Sequence, residues 1–361
     1  MPSSNELTIG FVRRGHSSGG AEAYLKRLAA GVAATGRGVV LFTAGDWPAE
    51  EWNCGPIVRL KAKSAIAFAD ELEKVSREKC DVLLSLERVW RCDVYRAGDG
   101  VHRAWLERRA EIGGRLQKLT RFFNRKHSAA LDLEESLFAN RRARRVIANS
   151  RMVKDEIVSF YRYPSDRIDV VYNGVPLELL RDEAKRATTN DEIVVLFAGS
   201  GWERKGLRFA INAVEAQKRK MKLIVAGRGE TGKFSSSRTE FRGVVRDMPA
   251  LYRSADVFLL PTVYDPFSNA CLEALAAGLP VITTKANGFS EIIENGRHGT
   301  VVDDPRNVQA LRDALEFWSD PARREQARTD NRALAAQFDI SANVAKTLRI
   351  VTQLAASAAS T

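Results

Sequence analysis

Along most of the chain, short runs of β-branched and apolar residues alternate with longer segments whose apolar positions recur every three to four residues. That is the pattern of a parallel α/β protein. "LTIGFV" (7–12) passes through a glycine loop into "AEAYLKRLAAGVAAT" and on to "GVVLFTA" (38–44), a complete strand–helix–strand unit. "DVLLSL" (81–86) and "RRVIANS" (144–150) predict later strands of the same sheet, and "RIDVVYNGVP" (167–176) ends a strand in a turn that stops regular structure. A second series follows with "EIVVLFAGS" (192–200), "MKLIVAG" (221–227), "TEFRGVV" (239–245), "ADVFLLPT" (255–262), "PVITT" (280–284) and "GTVVD" (299–303). The two series predict two doubly wound, Rossmann-like domains, residues 1–175 and 176–338. A final helix from about Ile340 to Ala356 closes the chain, and segment 339–361 is expected to return to the N-terminal domain. Open α/β sheets bind ligands outside the carboxyl ends of their strands, so the two domains are expected to face each other across a binding cleft.

Composition adds three constraints. With 361 residues, 45% of them hydrophobic and 28% charged, the chain has material for two globular domains. No apolar run approaches the length of a membrane span, and "MPSSNELTIGFVRRGH" lacks the apolar block of a secretory signal, so a cytoplasmic protein is expected. The four cysteines, Cys54, Cys80, Cys92 and Cys271, form no CxxC pair and predict neither a zinc site nor a disulfide framework.

The net charge of +11 is unevenly spread: between Arg103 and Arg145 stand twelve Lys or Arg against five acids. Such a field attracts an anionic membrane surface, a phosphorylated glycolipid or another polyanion, the alternative being a solvated helical face. Nothing resembling a zinc finger or an aromatic RNA-binding signature accompanies it, which argues against nucleic acid.

Candidate chemistry gathers where strands end. In "DPFSNACLEALAAGLPVITT" (265–284) a loop carrying Asp265 leads into a helix containing Glu273, and the helix stops at Gly278. Free N–H groups near Ser268, Asn269 and Ala270 would favour a diphosphate, leaving the two carboxylates for sugar hydroxyls. "FAGSGWERKGLRFAI" (197–211) repeats the form, with Arg204 and Lys205 expected to open a helix and to meet the charge on a departing diphosphate. In the first half, Gly19-Gly20 precedes a helix, and "VYRAGDGVHRAWLERR" (94–109) sets Asp99 between glycines and His102 at a loop–helix junction. "GRGETGKF" (227–234) fails as a nucleotide-triphosphate loop, because Phe234 stands where a hydroxyl must reach magnesium. No D-x-D pair or metal-ligand spacing occurs, so no metal site is assigned.

Taken together, the residues resemble the retaining glycosyltransferases of family four, which have the two-domain GT-B fold. The acidic E-x7-E motif of that family stands here as Asp265-x7-Glu273, and the GG loop, "NGV", "GSGWERKG", "LIVAGRG", "FRGVV" and "ADVFLLPT" occur in family order. The segments "GSGWERKG" and "YRAGDGVHRAWLERR" look most like the lipopolysaccharide core glucosyltransferase branch.

The resemblance implies a metal-independent hexosyltransferase that uses a nucleotide-sugar as co-substrate, UDP-glucose or a related UDP-sugar, without a cofactor. Its acceptor would be a lipid-linked or phosphorylated cell-surface glycan, lipopolysaccharide core above all. Glu273 would hold the donor ribose, Arg204 and Lys205 the diphosphate, and Phe267, Ser268, Asn269 and Ala270 the sugar and phosphate. Gly243, Val245 and Arg246 would frame the base, and Gly19, Gly20, Gly199 and Ser200 would allow close approach of the donor. His102 or Asp99 would face the transferred sugar. Asp265, shorter than the family's glutamate, leaves the sugar contact open. Through the basic segment 103–145 the protein would sit on the inner face of the cytoplasmic membrane. The alternatives are transfer to a small soluble acceptor and a noncatalytic GT-B protein that binds polyanions.

Overall fold

The computed structural model describes residues 7–15, 20–45, 47, 52–75, 78–113, 125–176, 192–234 and 236–359. The chain divides into two compact units, Met1–Asn173 together with Ile340–Thr361, and Gly174–Asp339.

The first unit is built on seven strands: β1 (Thr8–Val12), β2 (Gly38–Thr43), β3 (Ile57–Arg59), β4 (Val82–Ser85), β5 (Cys92–Ala97), β6 (Ala143–Ala148) and β7 (Ile168–Val170). They lie in the order β3-β2-β1-β4-β5-β6-β7 with every pairing parallel. Phe11 sits opposite Leu41 on one side and Leu84 on the other. Strands β4 and β5 are buried along their whole length, as befits strands covered on both faces.

Two of these strands escape the hydrophobic pattern. β3 is a three-residue, half-exposed edge. β5, "CDVYRA", carries two charges that the fold neutralises locally. The Asp93 carboxylate accepts the Leu83 N–H at 2.9 Å. The Arg96 guanidinium lies 4.5 Å over the Tyr24 ring and donates to Asn173 Oδ1 at 2.5 Å. A buried cation held by a ring face and amide oxygens is compatible with a central strand, although its charge hides it from a periodicity search.

The helix Ile340–Ala359 packs on the helix Gly20–Ala33. Gly31 makes the approach possible, since a Cβ there would lie 2.7 Å from Val344 Cγ2. Tyr24 donates its hydroxyl hydrogen to Asn343 Oδ1 at 2.5 Å, joining the two helices by a polar contact inside an apolar seam.

The second unit has six parallel strands: β8 (Ile193–Ala198), β9 (Met221–Ala226), β10 (Thr239–Gly243), β11 (Val257–Leu260), β12 (Val281–Thr284) and β13 (Gly299–Val302). Their order is β10-β9-β8-β11-β12-β13. Both sheets therefore reverse direction beside their first strand, between β1 and β4 and between β8 and β11. In a doubly wound sheet this reversal opens a crevice at the carboxyl ends of the two strands.

All four cysteines are free thiols, and burial pushes Cys271 up to about 12. Among the described residues no helix is long and apolar enough to cross a membrane.

Candidate active site

In the second unit the chain leaves β8 through Gly199 (φ 137°) and Gly201 (φ 73°) into a single helical turn, Trp202–Lys205. Gly206 (φ 75°) breaks that turn before the helix Leu207–Glu215 begins. Arg204 and Lys205 thus end a one-turn helix rather than open the long one, because a left-handed residue separates the two. Only glycine fits there: a Cβ on Gly206 would lie 1.9 Å from the Pro261 carbonyl oxygen.

The break turns Lys205 back across Gly199, where a Cβ would meet its Cε at 2.6 Å. Its Nζ reaches Asp265 Oδ2 at 2.9 Å, with side-chain exposures of 12% and 7%. The Arg204 carbonyl accepts the Val263 N–H at 2.8 Å and the Thr262 hydroxyl at 2.9 Å, tying the loop after β8 to the loop after β11. The Arg204 guanidinium is half-buried and has no hydrogen-bond or ion-pair partner among the described residues.

The loop after β11 is ordered by Asn287, which is fully buried. Its Oδ1 accepts the N–H groups of Ser268 (3.2 Å) and Phe289 (3.1 Å), and its Nδ2 donates to Thr283 Oγ1 at 3.0 Å. Of the amides expected to await a diphosphate, that of Ser268 is therefore engaged by protein. Asn269 and Ala270 begin the helix Asn269–Ala276, with Ser268 Oγ capping Cys271 N–H. Phe267 is buried edge-on against Phe289.

Glu273 Oε2 accepts the Tyr252 hydroxyl at 3.0 Å. Burial, and then the Glu273 carboxylate, hold the phenol well above its ordinary range, so it remains a donor. At the end of β10, Gly243, Val244 and Arg246 are exposed and Val245 half-buried, with the Gly243 carbonyl accepting Gly227 N–H at 2.7 Å. Ser200 Oγ accepts the Arg228 N–H at 3.3 Å. Trp202 donates its indole N–H to the Gly199 carbonyl at 3.0 Å and packs against Phe241 and Phe234.

In the first unit, Gly19 lies outside the described residues and Gly20 is the first residue of its helix. Asp99 and His102 sit on the turn after β5, which three side chains fasten. Arg13 Nη1 lies 3.2 Å from Asp99 Oδ2. Arg88 Nη2 donates to the Gly100 carbonyl at 2.8 Å. Glu134, with no exposed side-chain surface, accepts the His102 N–H at 2.6 Å, Arg88 Nε at 2.8 Å and the Tyr161 hydroxyl at 2.9 Å. A carboxylate from one helix thus caps the N-terminus of another, His102–Gly113. His102 Nε2 stands 3.0 Å from His127 Nδ1. Burial foremost, then Arg88 and His127, pushes His102 down to about 3, so it is a neutral imidazole at ordinary pH.

The basic segment is partly neutralised by the fold. Arg108 pairs with Glu156 at 2.8 Å, Arg145 with Asp169 at 2.6 Å and Arg144 with Asp93 at 3.6 Å. Arg125, Lys126, Arg141 and Arg142 are exposed, while Arg115, Lys118 and Arg121 lie outside the described residues. Among the described residues no group of three or more His, Cys, Asp or Glu is arranged to hold a metal ion.

Arg13, Arg88, Glu134, His127 and Tyr252 were not legible as site residues. Each reaches a partner well outside its own strand–loop segment, Arg13 to Asp99 and Tyr252 to Glu273 among them, and none is singled out by a recognisable motif. The one available signal was position, since Arg13 directly follows β1 at the strand reversal.

Two parallel doubly wound sheets, each with polar and charged side chains at its strand reversal, define a GT-B protein. Family models match both halves: "Glycosyltransferase Family 4" over residues 18–179 and "Glycosyl transferases group 1" over residues 192–319. A probable transglycosylase of Burkholderia thailandensis is 30% identical over 95% of this chain and 94% of its own. The chain belongs to glycosyltransferase family 4.

An uncharacterized glycosyltransferase of Methanocaldococcus jannaschii is 31% identical, but that alignment takes in only 46% of this chain and 48% of the relative. The lipopolysaccharide glucosyltransferase WaaG of Escherichia coli is 24% identical over 82% of this chain and 85% of its own. A crystal structure of WaaG superposes with a TM-score of 0.81 at 20% identity, covering 95% of this chain and 99% of that one. The Anabaena protein HepE, solved with UDP-glucose, superposes with a TM-score of 0.71 at 17% identity over 99% and 100% of the two chains. Likenesses at these identities speak for the fold.

Proposed function

We propose that the protein transfers a hexosyl group from a UDP-sugar, UDP-glucose first, to a hydroxyl of a cell-surface glycan such as lipopolysaccharide core, with retention at the anomeric carbon and without a metal. The observation that carries this reading is the half-buried Arg204 guanidinium, without a protein partner among the described residues, beside the Lys205–Asp265 pair at the strand reversal. An unpaired cation there suits a diphosphate. The likeness to WaaG supports the acceptor class, and the HepE complex supports the donor.

The chemistry follows from the charge. As the bond from C1 to the diphosphate oxygen lengthens, negative charge grows on the diphosphate, which Arg204 and Lys205 stabilise. The acceptor hydroxyl adds to C1 on the face the diphosphate leaves, and its proton passes to a phosphate oxygen. Glu273, presented from its helix and braced by Tyr252, takes the donor ribose, while Asp99 and the neutral His102 take hydroxyls of the transferred sugar. The exposed cations Arg125, Lys126, Arg141 and Arg142 support peripheral attachment to anionic lipid, for which sedimentation with anionic vesicles at low salt is the check.

The deciding experiment offers UDP-, GDP- and ADP-sugars with a lipid-core acceptor and measures released nucleoside diphosphate, with and without EDTA, beside Glu273→Ala. Release with UDP-glucose, unaffected by EDTA and lost in the variant, is expected. Release with another base overturns the donor assignment, and EDTA sensitivity overturns metal independence.

A further inference from the structure

The first unit holds an arrangement that the family motifs do not include. Arg13 follows β1 directly and spends all three of its nitrogens on protein acceptors. Its Nε and Nη2 reach Glu22 Oε1 at 3.3 and 3.2 Å. Its Nη1 reaches Asp99 Oδ2 at 3.2 Å, the Leu86 carbonyl at 3.4 Å and Glu87 Oε2 at 3.7 Å. One guanidinium therefore serves three carboxylates drawn from the helix after β1, the loop after β4 and the turn after β5.

Their exposures are graded. The Glu22 side chain is 6% exposed, Glu87 18% and Asp99 40%. Glu22 and Glu87 hold the cation from within, and Asp99 is the carboxylate presented outward. Burial opposes the Arg13 charge, yet Asp99, Glu87 and Glu22 outweigh it and raise its pKa, so the cation is permanent.

We infer that Arg13 is the positioning residue for Asp99: it fixes the direction of that carboxylate and offsets the like charge of Glu22 and Glu87 beside it, for its contact with the substrate. The inference rests on the reading under which Asp99 meets the transferred sugar. Among the groups that bear on Asp99 are Arg13, Glu22 and Glu87, with Arg88 and Tyr95 coupled to it electrostatically and Arg14 N–H drawing on Glu87. Without Arg13, Asp99 would lose the guanidinium it shares with the buried Glu22 and the half-buried Glu87, and the like charge of those two glutamates would favour its protonated form.

The test is the pH–rate profile of nucleoside diphosphate release from UDP-glucose by the full chain, for the wild type, Arg13→Lys, Arg13→Gln, Asp99→Asn and the Arg13→Gln/Asp99→Asn double variant. Arg13→Gln is expected to move the acid limb up by about one pH unit or more, which lowers kcat about tenfold at pH values on that limb, and to recover as the pH rises above it. Arg13→Lys should keep the wild-type limb, and the double variant should be no slower than Asp99→Asn alone.

A pH-independent loss in Arg13→Gln, or additive losses in the double variant, would make Arg13 merely structural and overturn the inference. Should Arg13→Gln fail to fold, Glu87→Gln reads the same arrangement: with one competing carboxylate gone the acid limb should fall, and an unmoved limb overturns the proposal. A fully active Asp99→Asn removes the role of Asp99 and this inference with it. A silent wild type refutes the donor assignment before any variant is made.

Discussion

Lys205 Nζ lies 2.9 Å from Asp265 Oδ2, with both side chains almost withdrawn from solvent. The first acid of the family's acidic motif is thus committed to the cation of the preceding strand's loop, and Lys205 is held between Gly199 and Asp265. Removing one partner of a buried pair strands the other charge, so Asp265→Ala should cost about 3–5 kcal/mol of unfolding free energy. It should also raise the Kd for UDP by loosening Lys205, whereas Asp265→Glu preserves the pair and stays near wild type. Urea unfolding and UDP titration read both effects. An Asp265→Ala protein of unchanged stability would show that the pair is not buried in solution.

The Tyr252 hydroxyl braces Glu273 from inside the core. Tyr252→Phe removes a donor to a carboxylate, a change of about 1.5–3 kcal/mol for a hydrogen bond to a charged group. The loss should appear in the donor KM more than in kcat, since in the proposed function Glu273 holds the ribose rather than the reacting carbon. Because burial and Glu273 keep the phenol protonated, no tyrosine limb should enter the wild-type rate profile on its alkaline side. Equal falls in kcat and kcat/KM would place Tyr252 at the transition state instead.

Gly201 and Gly206 have nearly the same positive φ, 73° and 75°, but different surroundings. Nothing lies within 4 Å of a Cβ on Gly201, while one on Gly206 would meet the Pro261 carbonyl oxygen at 1.9 Å. Gly201→Ala should therefore cost only the left-handed conformation, about 1–2 kcal/mol. Gly206→Ala should cost more, and should lower activity by parting the Arg204 carbonyl from the loop after β11. Thermal melts of the two variants side by side decide it, and equal losses would refute the close approach.

Eleven of the thirteen strands among the described residues are legible in the sequence, most of them because a strand covered on both faces is a run of apolar residues. The exceptions have particular causes. β3 is too short and too exposed to show a pattern, and β5 carries Asp93 and Arg96, whose charges are absorbed by Leu83 N–H and by Tyr24 with Asn173. In the second unit, motif spacing leads to Arg204, Lys205, Asp265 and Glu273, since each closely follows its own strand. What spacing cannot give is the pairing of Lys205 with Asp265, which depends on the backward turn at Gly206. In the first unit Asp99 and His102 are visible from their glycine-rich turn. The residues that hold them are not: Glu134 lies 32 positions from His102, inside the segment whose excess of Lys and Arg reads as a polyanion-attracting surface.

The His102 ring, on the residue that Glu134 caps, makes stability depend on pH. His102 is pushed down to about 3 in the folded chain against an ordinary value near 6.5, through burial, Arg88 and His127. Between these values the unfolded chain binds a proton that the folded chain refuses. The folded state therefore has its full stability above about pH 6.5 and loses it as the pH falls toward about 3, with a limiting slope near 1.4 kcal/mol per pH unit for one proton. Partial access of solvent makes the observed slope smaller than that limit. His127, also lowered by burial and by Arg109, adds in the same direction. In His102→Gln the slope in this window should fall while the backbone cap from Glu134 remains, since His102 N–H rather than its ring makes that contact. Urea unfolding of both proteins across the window measures the difference. A wild-type stability that rises on acidification, or a slope unchanged in the variant, would mean that His102 takes up its proton in the folded state.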